Sequence, residues 1–206
     1  MGTTDRKFFL WFVFALAFGA LIPGVAMAIE EPEYEIVADH GDFEIRRYAP
    51  MILAETRVDS DFEKAGNEAF RRLFGYISGD NAARAKIEMT APVVQELSSE
   101  KIAMTAPVVQ QPDDSGWHVA FVVPAEYSWE TAPEPTDPRV SLRLGPERMV
   151  AAVRFSGTWG EERFTGHEGE LRGRLTEHGL RPVGEAVYAR YNPPFTPWFM
   201  RRNEVM

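Results

Sequence analysis

The chain has no cysteine among its 206 residues. That excludes disulfides, a thiolate metal site, a cysteine nucleophile and any lipid anchor carried on cysteine. Histidine is scarce, at His40, His118, His167 and His178 only. His167 and His178 lie eleven apart and nearly share a helical face, but eleven residues rise about 16 Å, too far to hold one metal. There is no H-E-x-x-H cluster, no G-x-S-x-G elbow and no phosphate-cradling loop; "SGDNAARAK" carries a single glycine. Carboxylates are frequent, yet no spacing separates an acid/base pair from ordinary surface charge. Positive charge is also short: 22 Lys and Arg face 31 Asp and Glu, a net charge of −9. A broad electrostatic footprint for nucleic acid is therefore missing.

One hydrophobic run stands apart. In "MGTTDRKFFLWFVFALAFGALIPGVAMA", Arg6 and Lys7 precede an apolar stretch from Phe8 to Ile22, Pro23 and Gly24 break it, and Ala26-Met27-Ala28 supplies small residues for cleavage. Residues 1–28 have the layout of a secretory signal peptide. An uncleaved membrane anchor is the lesser alternative, because the run is short of the roughly 20 residues a span needs. Cleavage leaves Ile29 to Met206, the size of one domain, with no further stretch able to cross a bilayer. The expected location is periplasmic or secreted. The oligomeric state is not legible in the sequence.

What is present reads as strands and two helices. "YEIVADHGDFEIRRYAPMILAETRV" alternates over Tyr34 to Ala38 and Phe43 to Tyr48 around a glycine turn, with a third strand from Met51 to Val58. Ser60 and Glu63 have capping-box spacing, and Phe62, Ala65, Ala69, Leu73 and Ile77 then recur on one helical face ending near Gly79. "WHVAFVVP" predicts another strand, and "VSLRLGPERMVAAVRF" a hairpin around Gly145-Pro146. A second helix, poorer because of internal glycines, carries Phe164, Leu171 and Leu175 and stops at Gly179. "EAVYARY" predicts a last strand before an irregular aromatic tail.

The phrase "KIEMTAPVVQ" (Lys86 to Gln95) returns as "KIAMTAPVVQ" (Lys101 to Gln110), differing only at Glu88 and Ala103. Each copy is β-branched and holds a proline, so the pair predicts two strands folded on each other at a sheet margin. A looser echo, two strands, a helix and a strand, spans residues 43 to about 95 and 140 to about 191. The class is α+β, one domain in two halves, with mostly antiparallel strands.

The chemistry that remains is aromatic surface beside arginine. The first helix offers Phe70, Arg71 and Phe74; the tail offers Phe195, Trp198, Phe199, Arg201 and Arg202. Rings could cover a flat apolar molecule while guanidinium groups meet its acidic edges. The competing reading is that the tail plugs a barrel end and its arginines pair with carboxylates.

Three ordered stretches resemble the SOUL family of heme-binding proteins: "YEIVADHGDFEIRRYAP", "KIAMTAPV", and "YNPPFTPWFMRRNEV". The resemblance spans about Tyr34 to Met206. It implies a distorted antiparallel β-barrel of two pseudo-twofold-related halves with two packed helices. It also implies non-catalytic binding of heme or a related tetrapyrrole, with Asn67, Phe70, Arg71 and Phe74 on the helix and Phe195 and Thr196 on the loop as cofactor-binding residues. The chain departs from the family pattern at two places. Arg47 stands where some members carry a histidine, and Thr196 where some carry a lysine. A fixed axial histidine is therefore not expected. Other small hydrophobic ligands on a similar barrel, or a tetrapyrrole-modifying activity, are the alternative readings.

Overall fold

Residues 29–84 and 99–206 are described by the structure, a computed structural model. Alternating apolar and polar residues build β1 (Tyr34–Asp39) and β2 (Glu44–Tyr48), an antiparallel hairpin whose turn uses Gly41 at φ 85°. After Pro50 comes β3 (Met51–Val58), and then α1 (Phe62–Ser78). The helix cap is Asp61, not Ser60: the Asp61 carboxylate accepts the Lys64 N–H at 3.0 Å and also draws the Lys64 ammonium. An aspartate at this position both satisfies an orphan donor and opposes the helix dipole. The predicted stripe from Phe62 to Ile77 is buried throughout, and the helix ends at Gly79.

The chain continues through β4 (Asn81–Ala82), β5 (Val108–Asp113), β6 (Gly116–Val122), β7 (Glu134–Pro135), β8 (Val140–Gly145) and β9 (Arg148–Phe155). Helix α2 (Glu161–Glu177) follows. Its end is a Schellman turn in which Gly179, at φ 70°, donates to the Thr176 carbonyl and Leu180 donates to the Leu175 carbonyl. The chain closes with β10 (Tyr188–Arg190), a 3-10 turn at Trp198–Met200, and β11 (Asn203–Val205).

Nine strands form one curled antiparallel half-barrel in the order β1-β2-β9-β11-β10-β5-β6-β3-β8, while β4 and β7 make a separate pair. Apart from β1, the order is palindromic about the β10–β5 seam. One half is β2, β3, α1, β5 and β6, and the other is β8, β9, α2, β10 and β11. The α+β class and the pseudo-twofold expectation therefore hold, with the halves running longer than the echo suggested.

Three strand expectations are corrected. Gly145-Pro146 is not a hairpin: β8 pairs with β3, whereas β9 pairs with β2 and β11. The β2–β3 joint at Pro50 behaves alike. Each joint carries a proline, which cannot donate to a ladder, and there the chain exchanges one partner set for another. The second "KIAMTAPVVQ" does not mark a margin either. Its Val108 to Gln110 run lies between β10 and β6, deep within the sheet. Pro107 sits just before the strand, and Pro112 lies beyond the reach of β10, so neither interrupts an interior ladder. The first copy lies outside the described residues. Finally, the aromatic tail ends as β11, an interior strand between β10 and β9.

Helix α1 covers one half of the sheet, packing Ala65, Ala69, Leu73 and Ile77 onto Val119, Phe121 and Val140. Helix α2 covers the other half with Phe164, Leu171 and Leu175. Phe62 joins the two cores, meeting Trp117, Phe164 and Tyr188 at centroid distances of 5.1, 5.7 and 5.8 Å.

Candidate functional site

The outer flank of α1 carries the aromatic residues of the predicted site. Phe70 and Phe74 are one helical turn apart, so their rings stack nearly parallel, 5.9 Å between centroids and 15° between planes. Phe70 is anchored: its ring meets Phe121 edge-on at 5.5 Å. Phe74 is about half exposed. Beside this pair an open groove of about 590 Å³ is lined by Ser60, Lys64, Asn67, Glu68, Phe70 and Arg71. That volume falls in the range of small-molecule sites. Two of its charged groups are already engaged, Lys64 with Asp61 and Glu68 with Arg72. Arg71 makes no hydrogen bond or ion pair among the described residues, so its guanidinium is available to an acid. Three of the predicted residues, Asn67, Phe70 and Arg71, thus line one groove, with Phe74 alongside.

Phe195 and Thr196 stand on the loop after β10. Phe195 is 85% exposed, and Trp198, Phe199 and Met200 extend the apolar surface. Singly exposed apolar residues are ordinary; four within six positions form a patch that asks for an occupant. The loop itself is held firmly. Arg201 donates from Nε to the Thr196 carbonyl at 2.8 Å and from Nη2 to the Pro194 carbonyl at 2.7 Å. Its guanidinium lies 4.2 Å from the Trp159 ring centroid, and the Trp159 indole N–H donates to Asn203 at 2.9 Å.

Arg190 connects this support to α1. Its guanidinium carbon is 5.6 Å from the Trp159 centroid and 4.9 Å from that of Phe62. Nη2 donates to the Gln110 side-chain oxygen at 2.9 Å, while the Gln110 amide donates to the Phe62 carbonyl at 3.1 Å. The helix can approach so closely because residue 66 is glycine: a Cβ there would stand 2.7 Å from Arg190 Nη1. No carboxylate pairs with Arg190 among the described residues, and its Nε has no partner. Burial pushes its pKa down to about 10, opposed by the charge of Glu63, so it remains a cation at neutral pH.

Sequence reasoning missed Arg190 and Trp159. Arg190 looks like one more polar residue of a strand, and only the tertiary fold buries it beneath α1. Of the two readings of the tail arginines, free partners for an acidic ligand fails for both Arg201 and Arg202, and pairing with carboxylates holds for Arg202. Arg201 is spent on loop carbonyls. Arg202 is bound to Glu204 at 2.9 Å and to Glu31 at 2.8 Å. Glu204 is fully buried on β11 and also accepts from Arg46 at 2.6 Å and the Tyr191 hydroxyl at 2.9 Å. A buried carboxylate needs such partners, which is why Arg202 turns inward.

Arg47, at the position of the family histidine, donates to Glu35 at 2.9 Å. None of the four histidines lines the α1 groove. His40 and His178 meet at a tilt with 4.4 Å between centroids, His118 faces Asp113 at 3.3 Å, and His167 lies against Phe155 and Glu170. No cluster of three metal-ligating side chains exists among the described residues. The tyrosines that burial shifts, Tyr48, Tyr76, Tyr127, Tyr188 and Tyr191, all move upward, away from neutral pH, and none lines the groove. The arrangement suits holding a flat apolar molecule with an acidic edge more than moving protons.

Residues 29–206 match the family model described as SOUL heme-binding protein. The chain is 28% identical over 200 residues to heme-binding protein 2 of Homo sapiens, an alignment covering 90% of this chain and 93% of that protein. It is 28% identical over 193 residues to heme-binding protein 1 of Xenopus tropicalis, covering 91% and 96%. Among solved structures, a hydrolase from Listeria innocua superimposes with a TM-score of 0.48 at 13% identity, covering 87% of this chain and 92% of that one. The EcmrR C-terminal domain does so with a TM-score of 0.47 at 10% identity, covering 84% and 94%.

Proposed function

The chain belongs to the SOUL heme-binding protein family, and from that premise we propose that it binds heme or a related tetrapyrrole, without catalysis, on the outer flank of α1. The observation that carries the reading is the stacked Phe70–Phe74 pair beside an Arg71 that has no partner among the described residues. The rings take the macrocycle face, Arg71 takes a propionate, and Asn67 supplies a neutral polar contact at the rim. Phe195 and the loop held by Arg201 form a second apolar surface for the same ligand. No histidine lines the groove, so face and edge contacts rather than a histidine–iron bond provide the affinity.

The test is a titration of the untagged protein with hemin and, in parallel, with iron-free protoporphyrin. Saturable one-to-one binding of both, within about threefold of each other and weakened in Phe70→Ala and Arg71→Ala, is expected. Binding of hemin alone would point to an axial ligand. Non-saturating binding shared by both variants would remove the site. Pigment left unchanged over hours under reductant is the expected sign of binding without turnover.

We infer further that the chain works outside the cytoplasm, in the periplasm if the source is bacterial. The support is the layout of residues 1–28, which lie outside the described residues. Among the described residues no helix is long and apolar enough to cross a membrane. Intact mass of the protein recovered from a secreting host should begin at Ile29; retention of the leader would favour an anchored form.

A further inference from the structure

The loop between β10 and β11 carries apolar side chains beyond Phe195. Trp198, Phe199 and Met200 are consecutive on the 3-10 turn and are 59%, 61% and 65% exposed. Neighbours on such a turn point about 120° apart, so one flat ligand cannot cover all three. Side chains exposed in three directions at once stand out from the surface as a tip; they do not wall a groove. The tip is also rigid. Gly157 donates to the Trp198 carbonyl at 3.0 Å and Met200 to the Pro197 carbonyl at 2.9 Å. Pro193, Pro194 and Pro197 fix φ along the approach.

The chain enters the domain at the same end of the sheet. Arg190 pairs with Asn203 and with Val108, and Asn203 pairs with Phe155. The tip, the start of β5 and the exit of β9 therefore share that end. The first described residues are held there. Ala106, just ahead of β5, donates to the Glu30 carbonyl at 2.8 Å, and Glu31 meets Arg202 at 2.8 Å. Ile29 and Met104 beside these contacts are exposed apolar residues as well. The apolar run from Phe8 to Ile22 thus joins the domain at the end that bears the aromatic tip. Cleaved or kept, a run of that kind meets a bilayer.

The two cations that follow the tip in sequence are already spent. Arg201 serves the Thr196 and Pro194 carbonyls, and Arg202 is held by Glu31 and Glu204. The net charge of −9 adds repulsion from an anionic surface. Contact with a bilayer therefore rests on the apolar side chains, and tryptophan and phenylalanine favour the interfacial layer.

We propose that the Trp198–Met200 tip docks into the headgroup layer of a lipid bilayer, with zwitterionic lipid sufficient. The absence of cysteine makes the test direct: Met200→Cys and Val183→Cys each create a single labelling site. Val183 is 93% exposed and precedes β10, on the side away from the tip. Each full-length variant carries a polarity-sensitive fluorophore and is reconstituted with phosphatidylcholine vesicles. The label at position 200 should shift to the blue and be quenched by brominated lipid, while the label at 183 stays aqueous. Adding Trp198→Ser and Phe199→Ser to the Met200→Cys protein should abolish the shift, with circular dichroism unchanged because both rings are exposed. An aqueous label at 200, equal spectra at the two sites, or a shift that survives the serine changes would each overturn the assignment. So would a shift that requires phosphatidylserine and vanishes in high salt. A shift that appears without vesicles as protein concentration rises would give the tip to a second copy and overturn it too. No reading uses hemin, so failure here is distinct from failure of the tetrapyrrole site.

Discussion

Glu204→Gln is the substitution whose cost follows most directly from the structure. The Glu204 carboxylate has no solvent exposure and accepts from Arg46 Nη1 at 2.6 Å, Arg202 Nε at 3.0 Å and the Tyr191 hydroxyl at 2.9 Å. Glutamine keeps the shape, removes the charge and turns one acceptor into a donor facing donors. Breaking a buried pair by removing one partner costs about 3–5 kcal/mol. The lower end applies here, because each arginine keeps a partly exposed carboxylate, Arg46 with Glu44 and Arg202 with Glu31. A loss of about 3 kcal/mol lowers the melting temperature of a chain this size by roughly 6–12 °C. Thermal and urea unfolding followed by circular dichroism would measure it. Glu35→Gln is the internal control, since it cuts the exposed pair made by Arg47, the neighbour of Arg46 on β2, and should cost under about 1 kcal/mol. Equal losses in the two variants would refute the premise that burial, rather than ion-pair geometry, decides the cost.

Phe74→Ala should leave stability within about 0.5 kcal/mol, since the ring is half exposed, yet weaken hemin binding several-fold; an unchanged hemin titration would remove Phe74 from the site. Gly66→Ala should destabilise by about 1–3 kcal/mol, because its Cβ meets Arg190 at 2.7 Å, and most of that loss should vanish in the Gly66→Ala, Arg190→Ala double variant. Additive losses would place the strain elsewhere. Five of the six tyrosines have folded-state pKa values above the ordinary value of 10.0, Tyr127 at about 12. A raised folded-state pKa stabilises fully below the unfolded pKa and is lost as pH rises through the folded one. Urea stability should therefore fall between about pH 10 and pH 12, and two or more phenolates at 295 nm in folded protein at pH 11 would contradict this burial.

The sequence by itself determined the elements whose signal is local. The α1 stripe from Phe62 to Ile77, the β1–β2 hairpin at Gly41 and the stop at Gly179 each depend on residues within a turn or two, where helix and strand periods and glycine's backbone freedom operate. The family resemblance named Asn67 beside Phe70 and Arg71, and the three line one groove because residues three and four apart on a helix share a flank. Tertiary structure decided the pairings and the fate of the charges. The strands on either side of Pro146 go to partners in opposite halves, β5 becomes interior, and the tail becomes a strand. Arg46 finds Glu204 158 residues away, Arg201 turns to its own loop, and Arg190 packs against Gly66 of α1 with no carboxylate partner among the described residues. In sequence these arginines look alike. Which of them pairs with a carboxylate, supports a loop or packs beneath a helix is set by distant segments that meet only when the sheet curls.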